Sequence, residues 1–176
     1  PYGVSMLYMG HDYNQPLGLN HIPATVNVLR FGAMFNQPLM PGHIPPSVTT
    51  LSFGDAFNQP LQLDHIPSSV ATLSFGTTFN QLLHPHQIPL GVTKLSFGDA
   101  FNQPLQLYHI PSSVTTLVFG STYNQPLRPG YLPHGITTLK FGHNFNQRLL
   151  LRTLPRELNT LHLGAKFNKP LLPGRI

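Results

Sequence analysis

Apolar side chains recur at fixed places along this chain. Within residues 48–67, six apolar positions are apolar again 22 residues later: Val48, Leu51, Phe53, Phe57, Leu61 and Ile66. Residues 50–53 alternate between polar and apolar, which predicts a short strand with one buried face. The segment between Leu61 and Ile66 is too short for a helix, so we expect extended backbone or a turn there. The pattern therefore predicts β-structure with little or no α-helix.

The same unit returns every 22 residues without an insertion. Glycine shows the repeat most plainly, at Gly10, Gly32, Gly54, Gly76, Gly98, Gly120, Gly142 and Gly164. A chain that keeps its length in eight copies is expected to wind in equal coils whose strands pair in parallel. The predicted fold is an all-β, leucine-rich-repeat-like parallel β-solenoid of eight 22-residue coils, one short strand per coil, in a single domain over residues 1–176. Because the chain opens in mid-repeat at Pro1, we also expect it to be a fragment of a longer protein.

Two invariant columns suggest how the coils are held. Each glycine follows a strand, where it either takes a positive φ or allows close approach to the next coil. Asparagine forms a predicted structural ladder, because stacked amides can bond to one another and to unpaired turn backbone. Its members are Asn14, Asn36, Asn58, Asn80, Asn102, Asn124, Asn146 and Asn168.

The recurring Phe-Asn-Gln-Pro-Leu and Ile-Pro-x-Ser-Val segments resemble the FNIP repeat, a 22-residue relative of the leucine-rich repeat. Residues 57–61 and 66–70 are clear instances, and the resemblance covers the whole chain. The last two copies depart from it at Arg148, Thr153 and Lys169. FNIP repeats often accompany an F-box, so the resemblance implies the substrate-recruiting part of a ubiquitin ligase, although these residues contain no visible F-box.

The residues that flank the inward leucine of each strand are expected to point outward from the sheet. The position before it is mostly threonine, whereas the position after it varies from coil to coil. Varied side chains on a fixed frame are typical of a recognition surface, and the alternative is that they are solvent-exposed fillers. We predict a protein-binding face that includes Tyr8, Arg30, Lys94, Val118, Lys140 and His162.

Charge is distributed unevenly along the chain. Residues 1–127 carry two cationic and four acidic side chains, whereas residues 128–176 carry eight cationic and one acidic. The alternative function is therefore binding of nucleic acid or another acidic ligand by the basic C-terminal coils, with Arg152 and Arg156 as the residues to test. No aromatic pattern for base stacking accompanies these cations, which makes nucleic acid the weaker hypothesis.

Four histidines share one column, His21, His43, His65 and His109. Three successive imidazoles about 5 Å apart could share a metal ion, but no carboxylate column accompanies them, and Gln87 and Tyr131 occupy the same column. We expect packing at the corner of the coil and no metal. Protonation would bring like charges together, which predicts a modest loss of stability near about pH 5.

The remaining sequence features argue against catalysis. The five acidic residues are scattered among the coils, and no Ser/His/Asp set stands apart from the repeat. We expect neither an enzyme nor a cofactor. The absence of cysteine suits a reducing, cytoplasmic location, and no apolar run is long enough to span a membrane. The outward threonines also allow an ice-binding face, but Lys94 interrupts that column. The oligomeric state is left open.

Overall fold

The computed structural model describes residues 3–171, so residues 1–2 and 172–176 of the predicted domain lie outside the described part. It contains eight three-residue strands, β1 to β8, and no helix within that range. Their bounds are Met6–Tyr8, Val28–Arg30, Thr50–Ser52, Thr72–Ser74, Lys94–Ser96, Thr116–Val118, Thr138–Lys140 and Thr160–His162.

The strands form one parallel sheet in chain order, from β1 to β8. Each residue pairs with the residue 22 positions further along, so that Leu29 lies beside Leu51 and Leu51 beside Leu73. This register follows from the equal length of the coils, because an insertion in any coil would shift every later partner. The predicted all-β, leucine-rich-repeat-like parallel solenoid of eight coils is confirmed.

The core is a set of apolar columns that run the length of the coil. The central leucine of β2 to β7 is fully buried, as are the valines or isoleucine three residues before it. Two columns of aromatic rings stack along the axis. The ring centres of Phe53 and Phe57 are 4.0 Å apart within a coil, and those of Phe57 and Phe79 are 6.2 Å apart between coils. Each buried Phe contributes roughly 1.5–3 kcal/mol. Inward side chains are therefore fixed by their neighbours on both sides.

A tight turn stands between the strand of one coil and the next. In residues 62–65 the backbone N–H of His65 donates to the carbonyl oxygen of Gln62 at 3.3 Å, and Asp64 has a φ of 63°. The same place is occupied by Gly42 and Gly130 after a proline, with φ values of 82° and 83°. Coils with proline and coils with leucine at the second turn position make the same hydrogen-bonded turn with a left-handed third residue.

No helix among the described residues is long and apolar enough to cross a membrane.

Candidate protein-binding face

The outward side of the parallel sheet, called the sheet face below, carries all six residues predicted to bind a partner. In β2 to β7 the central leucine is buried, whereas both flanking residues are exposed or half-buried. Lys94 lies in the column before the leucine, and Tyr8, Arg30, Val118, Lys140 and His162 lie in the column after it. The structure places these residues on one face, but it does not gather them into one cluster.

Tyr8 and Arg30 form a cluster at the N-terminal end of the sheet face. They are register partners in β1 and β2, and the Arg30 guanidinium carbon lies 5.5 Å from the centre of the Tyr8 ring. A cation above an exposed ring gains about 0.5–1 kcal/mol, which helps to hold both side chains in place. The Tyr8 hydroxyl donates to the sulfur of Met6 at 3.6 Å, and the Tyr8 side chain remains 57% exposed. The pair is therefore ordered and accessible at once.

Val118, Lys140 and His162 form a second cluster at the other end. They are successive register partners in β6, β7 and β8. Four strand spacings, or about 19 Å, separate Arg30 from Val118. Between them, the outward residues of β3 to β5 are serines and threonines, apart from Lys94, which is the one long side chain there. The sheet face is thus a polar floor with larger groups at both ends.

The charges on the sheet face all have one sign. The two outward columns contain Arg30, Lys94 and Lys140 and no acidic residue. The only ion pair in residues 3–171 joins His11 and Asp12, which lie off these columns. The three cations are therefore left to pair with groups from outside the chain.

The asparagine ladder links successive coils outside the strands. At each of seven steps the side-chain oxygen of one Asn accepts the backbone N–H of the next Asn at 2.9 Å, as Asn58 does for Asn80. Within residues 3–171 the expected bonds between the amides of neighbouring Asn side chains are not made; each Asn side chain instead accepts from the backbone of the next coil. The Gln that follows the Asn in the second to seventh coils adds a second link, which sequence reasoning missed: Gln81 Nε2 donates to the carbonyl and side-chain oxygens of Asn58 at 2.9 and 3.1 Å.

The glycine column allows close packing between coils. The described glycines with positive φ are Gly3, Gly42 and Gly130, which lie outside this column. A Cβ on Gly76 would instead stand 2.1 Å from the carbonyl oxygen of Gly54, and its equivalents meet the preceding coil at 1.8 to 2.2 Å. Of the two reasons considered for this glycine, close approach is the one that holds.

The histidine column caps the turn. His65 Nδ1 accepts the backbone N–H of Gln62 at 3.2 Å, His109 does the same for Gln106, and Gln87 uses its side-chain oxygen for His84. This bond requires an unprotonated Nδ1. Burial lowers the pKa of His65 and of His109, and a neighbouring imidazole lowers each pKa further. Within residues 3–171 no group of three or more His, Asp or Glu side chains is arranged to hold a metal ion.

Arg152 and Arg156, predicted for the alternative function, lie in the seventh coil away from the sheet face. Both are exposed, and Arg152 occupies the left-handed position of its turn with a φ of 61°. The sequence carries no aromatic pattern for base stacking among these cations. The structure brings Tyr108 into the same column as Arg152, two coils earlier, because corresponding turn residues stack.

The sheet, the ladder and the equal coils define a leucine-rich-repeat-like β-solenoid. The FNIP Repeat family model matches residues 35–78, 79–122, 101–144 and 145–176, and the chain belongs to the FNIP repeat family. A solved structure, described as the crystal structure of CroV588, a novel circular LRR protein structure, superposes with a TM-score of 0.91 at 35% identity. The match covers 93% of this chain and 24% of that one, so the chain spans about a quarter of that protein's length. No curated protein matches the chain.

Proposed function

We propose that this chain is a non-catalytic interaction scaffold that binds a protein partner on its sheet face. The observation that carries the proposal is the contrast between a frame fixed in every coil and outward residues that differ from strand to strand. Repeat solenoids of this kind typically serve as interaction scaffolds. A rigid sheet also loses little freedom on binding, so more of the contact energy appears as affinity.

The charges of the sheet face indicate the chemistry of the partner. The sheet face carries three unpaired cations and no acidic residue. It therefore favours a partner surface whose carboxylates are separated by hydroxyl-bearing and amide side chains. Exposed ion pairs contribute only about 0.2–1 kcal/mol each, so specificity must also come from Tyr8 and Val118. The finer proposal, taken from the FNIP family, is that the partner is a substrate brought to a ubiquitin ligase.

The test replaces the three cations with residues that their own columns already contain. Arg30→Ser, Lys94→Thr and Lys140→Ser together remove charge and leave the strand pattern of β3 and β4. Affinity capture followed by mass spectrometry should lose the partner with this triple variant, while the melting temperature stays the same. A matched control replaces Arg148, Lys166 and Lys169 with Gln, which removes the same charge outside the two columns. Equal capture by both triple variants would refute the sheet face as the site.

The alternative of nucleic-acid binding makes a different prediction. Affinity for an oligonucleotide should fall steeply with salt and on replacement of Arg152 and Arg156. The triple sheet-face variant should bind the oligonucleotide as tightly as the natural chain does.

A further inference from the structure

A second surface lies along the turns, away from the sheet face. A groove of about 210 Å³ crosses three successive coils there, and we call it the turn groove. Its walls include Leu90, Leu107, Tyr108, Pro111, Gly130 and Tyr131. Leu90 and Tyr108 are each 68% exposed, at columns that hold small or polar residues in other coils. Large apolar groups left in solvent beside a concave surface indicate a binding site.

Tyr108 forms the aromatic wall of this groove. Its φ of 66° is uncommon for a bulky residue, and the same turn position holds Asn20 and Asp64 in earlier coils. One face of the ring is covered by His86, whose centroid lies 6.1 Å away. On the other side the column continues with Gly130, which has no side chain. The uncovered face of Tyr108 is therefore open to a ligand side chain.

Cations lie beyond the groove on the same side of the coil. Arg152 shares the column of Tyr108, and Arg156 shares the column of Leu90, with one or more coils between each pair. Tyr108 and Arg152 are two coils apart, which corresponds to about 9.6 Å. Both arginines are exposed, and neither forms an ion pair within residues 3–171. Glu157 follows Arg156 and is also unpaired in that range, so the excess charge at this end of the groove is positive.

We propose that the turn groove binds an extended peptide segment of a protein partner. An aromatic or aliphatic anchor of the peptide packs against Tyr108 and Leu90, and acidic residues three to four positions away reach Arg152 and Arg156. The spacing follows from the geometry, since about 9.6 Å corresponds to roughly three residues of extended chain. The site is separate from the sheet face and does not depend on it. The leucine, isoleucine and proline side chains that line the groove beside Tyr108 offer no hydrogen-bonding groups to the edge of a nucleotide base, so we expect an aliphatic or aromatic side chain to bind there instead.

Fluorescence anisotropy with defined peptides tests this proposal. The probes are extended, labelled peptides with one Phe anchor and two Glu residues placed three and four positions after it or before it, because the groove fixes no chain direction. At least one probe should bind, and the same peptide with Ser for Phe, or Gln for both Glu, should bind about tenfold more weakly. Binding should also weaken between about 50 and 300 mM salt.

Variants of the protein localise the binding. Tyr108→Asn, which keeps a residue that tolerates the left-handed turn, should weaken binding by about tenfold or more. Arg152→Asn with Arg156→Ser should remove most of the salt dependence. Leu19→Ala removes a similarly exposed leucine from the turn column of Leu107 and should leave the affinity unchanged, as should the triple sheet-face variant. Failure of both probes, wild-type affinity of Tyr108→Asn, or preference for an oligothymidylate over either peptide would overturn the proposal. None of these results bears on the sheet face.

Discussion

A buried hydroxyl in the aromatic core gives the sharpest test of the packing. Tyr123 is fully buried in a column otherwise filled by Phe from the second coil onward, and its hydroxyl oxygen has no hydrogen-bond partner among the described residues. The ring stacks at 3.9 Å on Phe119 and at 6.1 Å on Phe101. A Phe at position 123 would keep both stacks and remove the unsatisfied group. Because such a group costs about 1–3 kcal/mol when buried, Tyr123→Phe should be more stable than the natural chain.

The size of the effect can be measured by thermal melting. For a chain of this length, about 2 kcal/mol corresponds to a rise in Tm of roughly 4–8 °C. Tyr13→Phe is the matched control, because Tyr13 occupies the same column in the first coil but is only partly buried, so its Tm should change by no more than about 1 °C. An unchanged or lower Tm for Tyr123→Phe would refute the reasoning.

The same variant should respond differently to alkali. Burial raises the pKa of Tyr123 above its ordinary value of 10.0, so the folded chain keeps the protonated phenol. The unfolded chain loses this proton first, and the natural protein should therefore lose stability as pH rises above about 10. Since Phe has no proton to lose, the advantage of Tyr123→Phe should grow in that range.

Three further predictions concern the columns. Because folding lowers the pKa of His65 and His109, the unfolded chain binds more protons as the pH falls below their ordinary pKa of 6.5, and the folded state should lose stability on acidification. The drop in melting temperature between about pH 7.5 and about pH 5 should be smaller when both histidines are replaced by Gln. Equal drops would contradict the capping role. Gly76→Ala should lower the free energy of unfolding in urea by about 3 kcal/mol or more, since its Cβ would meet the backbone of the preceding coil. Gly135→Ala is the control: a Cβ there would have its nearest neighbour at 3.6 Å, and the change should cost less than about 0.5 kcal/mol. Asn80→Ala should lose about 2 kcal/mol, because it leaves the Asn102 N–H unpaired and removes one of the two oxygens that accept from Gln103 Nε2. Asn80→Asp, which keeps the accepting oxygen, should lose less, and the opposite order would refute the ladder as described.

Much of the fold could be predicted because the repeat leaves little freedom. With no insertion between copies, one alternating segment such as 50–53 places every strand and sets the register of all eight. The Asn and Gly columns marked the interior contacts between coils for the same reason. Outward orientation of Arg30 and Lys94 followed directly from their place beside an inward leucine.

The hydrogen bonds of the polar columns depend on backbone positions that the repeated residue types do not specify. The direction of the Asn bonds follows from where the next N–H lies, and the His capping bond exists only because the turn brings Nδ1 back to residue 62. Pro41-Gly42 and Pro129-Gly130 did carry a signal, since that dipeptide is typical of a turn with a left-handed third residue. Applied to the whole column, it would have placed Tyr108 in the same conformation and exposed the turn groove.

The frame also explains where binding residues can arise in this protein. A side chain that points inward contacts the coils before and after it, as Phe57 contacts Phe35 and Phe79, so a change there disturbs three coils at once. The outward column after the leucine and the left-handed turn position are free of that constraint, and residue type varies from coil to coil in both. Because each coil interacts only with its neighbours, substitutions at Arg30 and Tyr108 should act independently on stability. A loss of binding shared by variants of both surfaces would therefore have to arise from one partner that reaches both, and not from a distortion passed along the coil.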